Sequence, residues 1–311
     1  MNSYEALRSG AAWIDLSARG KIRVEGEDRA RLLHAMSTND VKDLSAGHGL
    51  YAFFLNDKGR ILADANIYNL GETLFLDTEP ETAQKLYDHL DRYIIADDAT
   101  LEDLTQTWAA IGLEGPTSIR TATALGLPVP AAPQSVDLID GGFVARTTAT
   151  GGEGVRLFCP AEWKTSWTDK LIEAGVQQAS SDEVRVVRLE NGKPRYGEEI
   201  TERYLVQETQ QLSAIHFNKG CYLGQEIVER VRSRGQVHRL LVPVRIHAST
   251  PPAPGSKLNA NGTDVAEISS AAFSPALHTV VGLAYARTEA VHKKPALALS
   301  GSEPSIAAQI A

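Results

Sequence analysis

The chain has 311 residues, 43% of them hydrophobic and 23% charged, with a formal net charge of −8. That length holds two or three packed domains, and the acidic balance argues against generic nucleic-acid binding. The longest wholly apolar run, Leu50 to Leu55, is far shorter than the ~20 residues a membrane helix needs.

The opening twenty residues lack a basic start and an apolar core and contain Glu5 and Asp15, so neither a signal peptide nor an acid-poor presequence is expected. Lys21 to Gly26 alternate polar and apolar residues and predict a strand. Asp28 is placed to cap a short helix through Leu32, Leu33 and Met36, closed by the polar turn Ser37-Thr38-Asn39-Asp40. Leu50 to Leu55, the turn Asn56-Asp57-Lys58-Gly59 and Arg60 to Tyr68 predict a hairpin, and a second runs through Gly71-Glu72 into Leu74-Phe75-Leu76. Pro80 opens a helix with Ala83, Leu86, Tyr87, Leu90 and Ile94 at helical spacing. Trp108 to Leu113 reads as a strand, and a short helix follows Pro116.

Leu127 to Pro133 contains three prolines and reads as an extended linker. Phe143 to Thr147 and Val155 to Phe158 predict paired strands. Cys159 belongs to the core, and Pro160 starts a helix with Trp163, Trp167 and Leu171 four residues apart. Asp182 is the expected cap of a helix that reaches Leu189 and Glu190 and ends at Asn191-Gly192. The last seventy or so residues show short strands, with turns at Asn261-Gly262 and Ser274-Pro275 and no helix-period segment, and predict a small β-barrel. The fold class is α+β, with no repeat of about 20 to 50 residues.

Between these regions lies Asn218-Lys219-Gly220-Cys221-Tyr222-Leu223-Gly224-Gln225-Glu226, running into a helix with Ile227, Val228 and Val231 on one face. Its glycines allow tight backbone turns. A helix N-terminus carries roughly half a positive charge, and with Lys219 nearby the setting favours a thiolate at Cys221. A small buried cysteine in a tight loop fits the same pattern. Arg230, Arg232, Arg234 and Arg239 follow, either as a solvated edge or as a site for an anionic tail or an acidic partner. His216 reads as structural rather than as the base of a Cys–His dyad, since no third orienting residue is evident. Two cysteines 62 residues apart supply no disulfide framework or metal-ligand spacing, so the expected setting is a reducing cytoplasm. Any iron–sulfur cluster would belong to a partner or bridge two chains. Glu190, an acid at a helix end where the dipole disfavours one, is either an exposed terminal residue or a ligand-facing group.

The stretch Lys219 to Glu226 resembles the signature of the YgfZ family, folate-binding relatives of the glycine-cleavage T-protein (aminomethyltransferase). Arg188, Leu189, Glu190, Gly192, Tyr196 and Gly197 match the T-protein pattern Arg-Leu-Glu-x-Gly-x-x-x-Tyr-Gly, whose glutamate grips the folate pterin. The resemblance implies Glu190 as the pterin anchor, with Tyr196, Gln225 and Arg230 as further ligand contacts and Cys221 and Lys219 as the reactive pair. Gly59 to Asp64 resembles a Gly-Gly-x-x-Asp-Asp stretch that positions the reacting end of folate. Here Ala63 replaces one aspartate, which counts against ordinary aminomethyl transfer and leaves Asp64 as a candidate; otherwise Asp64 is a polar residue on a strand face.

The resemblance further implies a three-domain ring: residues 1–46 with 138–235 as a discontinuous folate-binding α+β domain, 47–137 as an inserted α+β domain with its linker at 127–137, and 236–311 as the barrel. It implies a cytoplasmic tetrahydrofolate-binding accessory protein in iron–sulfur cluster assembly or repair, whose partners are assembly proteins or client enzymes, with no membrane. The alternatives are a tetrahydrofolate-dependent aminomethyl- or methyltransferase and a scaffold that no longer uses folate.

Overall fold

The structure, a computed structural model, describes residues 2–235, 237–302 and 305–311. In chain order, α1 (Ser3–Ser9), β1 (Ala12–Asp15), β2 (Gly20–Glu25), α2 (Arg29–Met36), β3 (Gly49–Leu55), β4 (Ile61–Asn69), β5 (Leu74–Thr78), α3 (Ala83–Asp91) and β6 (Thr100–Asp103) come first. β7 (Trp108–Glu114), α4 (Ser118–Ala124), β8 (Val136–Ile139), β9 (Gly142–Ala145), β10 (Gly154–Pro160), α5 (Lys164–Glu173), β11 (Gln177–Gln178) and α6 (Ser181–Glu190) follow. An irregular stretch leads to α7 (Gln225–Arg234), then β12 (Arg239–Ile246), β13 (Lys257–Ala260), β14 (Thr263–Ser274), β15 (Thr279–Arg287), α8 (Thr288–Lys293), β16 (Leu297–Leu299) and β17 (Ala307–Ile310).

These elements form a five-stranded sheet in the order β3-β4-β5-β2-β6, a six-stranded sheet in the order β11-β1-β7-β10-β9-β8, and a closed barrel from β12, β15, β14, β13, β16 and β17. The expected α+β class with a C-terminal barrel is what the chain forms. Each sheet buries one face under helices. Leu32, Leu33 and Met36 of α2 and Leu86 and Leu90 of α3 cover the five-stranded sheet, while Leu171 of α5 and Ala122 of α4 cover the six-stranded one. The opposite faces meet through aromatic residues. Phe75 of β5 lies edge-on to Phe143 of β9 at 4.9 Å between centroids, and Phe143 stacks on Phe158 of β10 at 4.6 Å. Aromatic rings bury large areas and favour these geometries, so this cluster is the joint between the two sheets.

The sheets do not divide at residues 46/47 and 137/138, where the domain boundaries were expected. β2 pairs with β5 (Ile22 opposite Leu76) and with β6, and β7 pairs with β1 and β10. Residues 20–103 therefore build the five-stranded sheet, and both flanks of that stretch build the six-stranded one. The proline-rich stretch connects α4 to β8 within a single unit. Alternation marks a segment as a strand but does not choose its neighbour. Two smaller differences have local causes. Ser180, not Asp182, caps α6, because its hydroxyl accepts from Glu183 N while the Glu183 carboxylate accepts from Ser180 N, a reciprocal capping box. The barrel region also contains α8, a six-residue helix too short to show a helical period.

The aromatic joint carries a test. Phe143→Ala is expected to cost about 3–5 kcal/mol, seen as a fall in the urea midpoint at an unchanged m-value. A loss within the scatter of surface substitutions would mean that the sheets are held together elsewhere.

Candidate functional site

A cleft of about 720 Å³ opens where the two sheets meet α6 and the segment that follows it. Its floor is one face of the β3-β4-β5 ladder. Along β4, Ala63, Ala65 and Ile67 point into the core under α2 and α3, so the alternating residues Asp64 and Asn66 face the other way, into the cleft. β5 contributes Asp77 and, just beyond it, Glu79, and β3 contributes Tyr51. Arg19, from the turn between β1 and β2, and Arg156 of β10 close one wall; Arg185 and Arg188 of α6 with Lys193 and Arg195 form the other.

The acids of the floor have unequal partners. Asp77 accepts from Arg19 Nε at 2.6 Å, from Arg156 Nη1 and from Asn66 Nδ2 at 3.2 Å. Burial opposes its ionisation, but Arg156 and Arg19 outweigh burial and hold it below the usual carboxylate range. Glu79 accepts from Arg19 and pairs with Arg195 Nε at 3.0 Å, and it too is held low against its burial. Among the described residues, the Asp64 carboxyl accepts only from the Tyr51 hydroxyl, at 2.6 Å on Oδ2. Burial, reinforced by the charge of Glu79, pushes it up to about 7. Lys193 at the rim is drawn down to about 8 by burial, and its ammonium donates to Thr148 O.

Two loops are locked around this floor. The buried carboxylate of Glu114 accepts from the hydroxyls of Thr148 and Thr150 and from the backbone N–H groups of Ala149 and Thr150. Arg188 forms a forked pair with the fully buried Glu199 at 2.8 and 3.1 Å and also donates to Lys193 O at 2.7 Å, so residues 193–199 are held against α6. Bidentate charge-assisted bonds of this kind fix orientation as well as contribute energy.

Of the expected site residues, only Asp64 lines the cleft. Glu190 lies at the joint of α1, α6 and the barrel, where its nearly buried carboxylate accepts from Tyr4 Oη, from Arg8 Nε at 2.9 Å and from Ser274 Oγ at 2.6 Å. These bonds tie α1 and α6 to the barrel, and Glu190 is not among the residues that line the cleft. Tyr196 is buried in an apolar cluster, its hydroxyl donating to Ile61 O. Gln225 is the first residue of α7 and its Oε1 faces Tyr222 N at 3.4 Å. Arg230 is exposed and paired with Glu226 one turn earlier. Arg232 donates to Phe217 O, Arg239 to Glu208, and the side chain of Arg234 lies outside the described residues.

The cysteine loop stands on α2. An ammonium has three donors, and Lys219 uses them on the carbonyl oxygens of His34, Ser37 and Asn39 at 2.6, 2.7 and 2.6 Å. Lys219 is therefore a strut for the loop, and its donors are not directed at Cys221, as the pairing of the two residues required. Cys221 is exposed, ahead of α7 and outside the cleft lining; Cys159 is buried. His216 is exposed and lies 3.9 Å from Asp40.

Arg19, Tyr51, Asp77, Glu79, Arg156, Lys193 and Arg195 were not singled out from sequence. The usable signal was the acid pair in Leu-Phe-Leu-Asp-Thr-Glu and the Asp–Asn pair in Ala-Asp-Ala-Asn: polar residues two apart on strands that are otherwise apolar share one face. Among the described residues, no group of three or more His, Cys, Asp or Glu could hold a metal ion, and no helix is long and apolar enough to cross a membrane.

Residues 1–219 match the family model described as the GCVT N-terminal domain. Over 298 residues the chain is 30% identical to an aminomethyltransferase of Rubrobacter xylanophilus, covering 92% of this chain and 78% of that protein. It is 27% identical over 288 residues to a putative chloroplastic transferase of Arabidopsis thaliana, covering 86% of this chain and 63% of that protein. The crystal structure of the glycine cleavage system aminomethyltransferase T from Bartonella henselae superposes with a TM-score of 0.91 at 21% identity, covering 99% of this chain and 87% of that one.

Two expected outcomes follow from these environments. An Asp64 carboxyl raised in the fold is protonated in both states below about pH 4. As pH rises from about 4 to 7, the unfolded chain releases its proton while the folded chain keeps it, so stability falls across that window. Asp64→Asn should therefore raise Tm relative to wild type at pH 8 and leave it nearly unchanged at pH 4.5; an equal shift at both values would show that Asp64 does not titrate as described. Second, a thiol reagent should label Cys221 in the folded protein and reach Cys159 only on unfolding.

Proposed function

This chain belongs to the glycine-cleavage T-protein family, and on that premise we propose that it binds tetrahydrofolate in the cleft over Asp64 and works as a YgfZ-type accessory protein in iron–sulfur cluster assembly or repair. The observation that carries the folate reading is the cleft itself. Its volume suits a drug-sized ligand. Its lining includes an unpartnered buried donor, Arg156 Nε, and an unpartnered buried acceptor, Gln134 Oε1, and buried polar atoms of this kind call for a partner. A flat heterocycle with adjacent donors and acceptors meets that need.

In this reading bound tetrahydrofolate supplies the amine nitrogens that carry one-carbon units. The chain's own residues do the rest: Arg156 and Gln134 hold a polar ring edge, Asp64 keeps a proton at the floor, and Tyr51 orients its carboxyl. The rim cations Lys193 and Arg195, rather than Arg230, are placed to receive an acidic tail. The iron–sulfur part of the proposal draws on the Lys219–Glu226 motif and on the exposure of Cys221, which leaves the sulfur within reach of a partner protein in a reducing cytoplasm.

A second reading, tetrahydrofolate-dependent aminomethyl transfer, is favoured by one structural fact. The aspartate missing at position 63 belongs to the core face of β4, whereas Asp64 occupies the cleft face. Ala63 therefore removes nothing from the cleft.

Calorimetric titration of tetrahydrofolate into wild type, Asp64→Ala and Glu190→Ala tests the assignment. Wild-type binding is expected, weakened at least tenfold (about 1.4 kcal/mol) by Asp64→Ala and within twofold of wild type in Glu190→Ala. A larger loss in Glu190→Ala would return the pterin to the α6 terminus, and no wild-type binding would sink both folate readings. Release of a one-carbon unit from an amine donor would select the transferase. Loss of iron–sulfur enzyme activity on gene deletion, not restored by Cys221→Ser, would select the accessory role.

A further inference from the structure

β4 and β5 set two carboxylates face to face. Their register pairs Ala65 with Thr78 and Asn66 with Asp77. One residue further, the same register brings Asp64 opposite Glu79, which continues β5 in extended backbone at φ −66° and ψ 148°. The Thr78 hydroxyl, donating to Asp64 O, pins that end of the ladder. Side chains directly opposite in an antiparallel pair have Cβ atoms about 4.5–5.5 Å apart, and like charges there repel. With both carboxyls largely buried, both acids cannot ionise at little cost.

The surroundings decide which one does. Glu79 is gripped by Arg19 and Arg195, and Arg19 is itself shared with Asp77. The groups that bear most strongly on Asp64 are Tyr51 from β3, Asp77 and Glu79 from the end of β5 and Arg19 from the turn after β1, with Tyr196 from the segment after α6 also near. Arg156, Lys193 and Arg195 line the same cleft and are held by Asp77, Thr148 O, and Glu79 with Glu81. Arg19 is committed to two other carboxylates, and the one hydrogen bond that Asp64 accepts through its side chain among the described residues comes from a neutral phenol.

We propose that Glu79, held ionised by Arg19 and Arg195, is a positioning residue that keeps Asp64 a neutral carboxylic acid, so that Asp64 offers an O–H donor to a basic nitrogen of the cleft ligand near neutral pH. Tyr51 donates to Oδ2, which leaves Oδ1 to carry the proton. Two carboxyls whose environments push their ionisation apart mark an acid with an assigned role. Their opposite tendencies agree with that division: burial raises Asp64, whereas Arg19 and Arg195 hold Glu79 low against its own burial. The ligand half of the proposal rests on the folate reading above; the acid pair does not.

The test is a carboxyl carbon-13 NMR titration of the full chain, with Asp64 assigned by the signal lost in Asp64→Asn. Wild-type Asp64 should titrate near 7. In Glu79→Gln the midpoint should fall by at least about one pH unit, because the opposing charge is gone and Arg19 and Arg195 are released to act on Asp64. In Arg195→Met it should rise. Simple loosening of the site would bring both variants down toward the ordinary value of about 4. A wild-type midpoint near 4, an unchanged midpoint in Glu79→Gln, or a fall in both variants would overturn the proposal. If Glu79→Gln does not fold, wild type and Arg195→Met still decide it. The titration needs no folate: the expected shifts without tetrahydrofolate binding would uphold the acid pair and remove only the ligand reading.

Discussion

Asp77 is the buried charge on which the arrangement of the cleft depends. It is fully inaccessible to solvent, and a carboxylate in that position persists only if it is paired and hydrogen-bonded. Its partners come from three places: Asn66 on the neighbouring strand, Arg19 on the turn leaving the six-stranded sheet, and Arg156 on β10 within that sheet. Removing one member would strand the others as unpaired buried charges, a loss of about 3–5 kcal/mol by comparison with other buried pairs. Because the partners belong to different sheets, satisfying one carboxylate sets the spacing between them. The aromatic joint beside it supplies the apolar area, and the ion network supplies the register.

From Asp77 the network runs outward through Arg19 to Glu79, from Glu79 to Arg195, and from Arg195 to Glu81. It neutralises two of the three floor acids and passes over the third. Asp64 thereby differs from its neighbours in partners rather than in burial, and its proton is a consequence of how the arginines were distributed. The same network carries the cleft wall, because Arg195 belongs to the segment that Arg188 and Glu199 hold against α6.

Several residues that a motif would nominate for chemistry hold the architecture instead. Glu190 fastens the barrel to α1, Tyr196 fills an apolar cluster, and Lys219 props the cysteine loop on three carbonyl groups of the α2 end. A long, unusual sequence pattern can be demanded by such ties as strongly as by a ligand, since each tie needs one residue type at one position. Cys221, by contrast, is exposed on the loop that Lys219 holds in place.

The sequence by itself determined what depends on near neighbours in the chain. Strand alternation, helical spacing and turn residues located most elements between β2 and α7, the α+β class and the C-terminal barrel, while α1, β1, β6, β8, β11 and α8 went unread; the motif around Arg188 to Gly197 pointed to the right family. Only the tertiary structure decided where side chains end. Tyr4 and Glu190 are 186 residues apart in sequence, and Lys219 reaches carbonyl groups more than 180 residues upstream. Likewise, β2 reads as a strand from its own residues, but its place between β5 and β6 is set by which hydrophobic faces remain to be covered. Periodicity tells which face of an element is buried; it carries no information about what lies on the other side. That is why Asp64 was visible as a candidate from its own strand, while Glu79, which gives Asp64 its character, became visible only when the two strands were laid side by side.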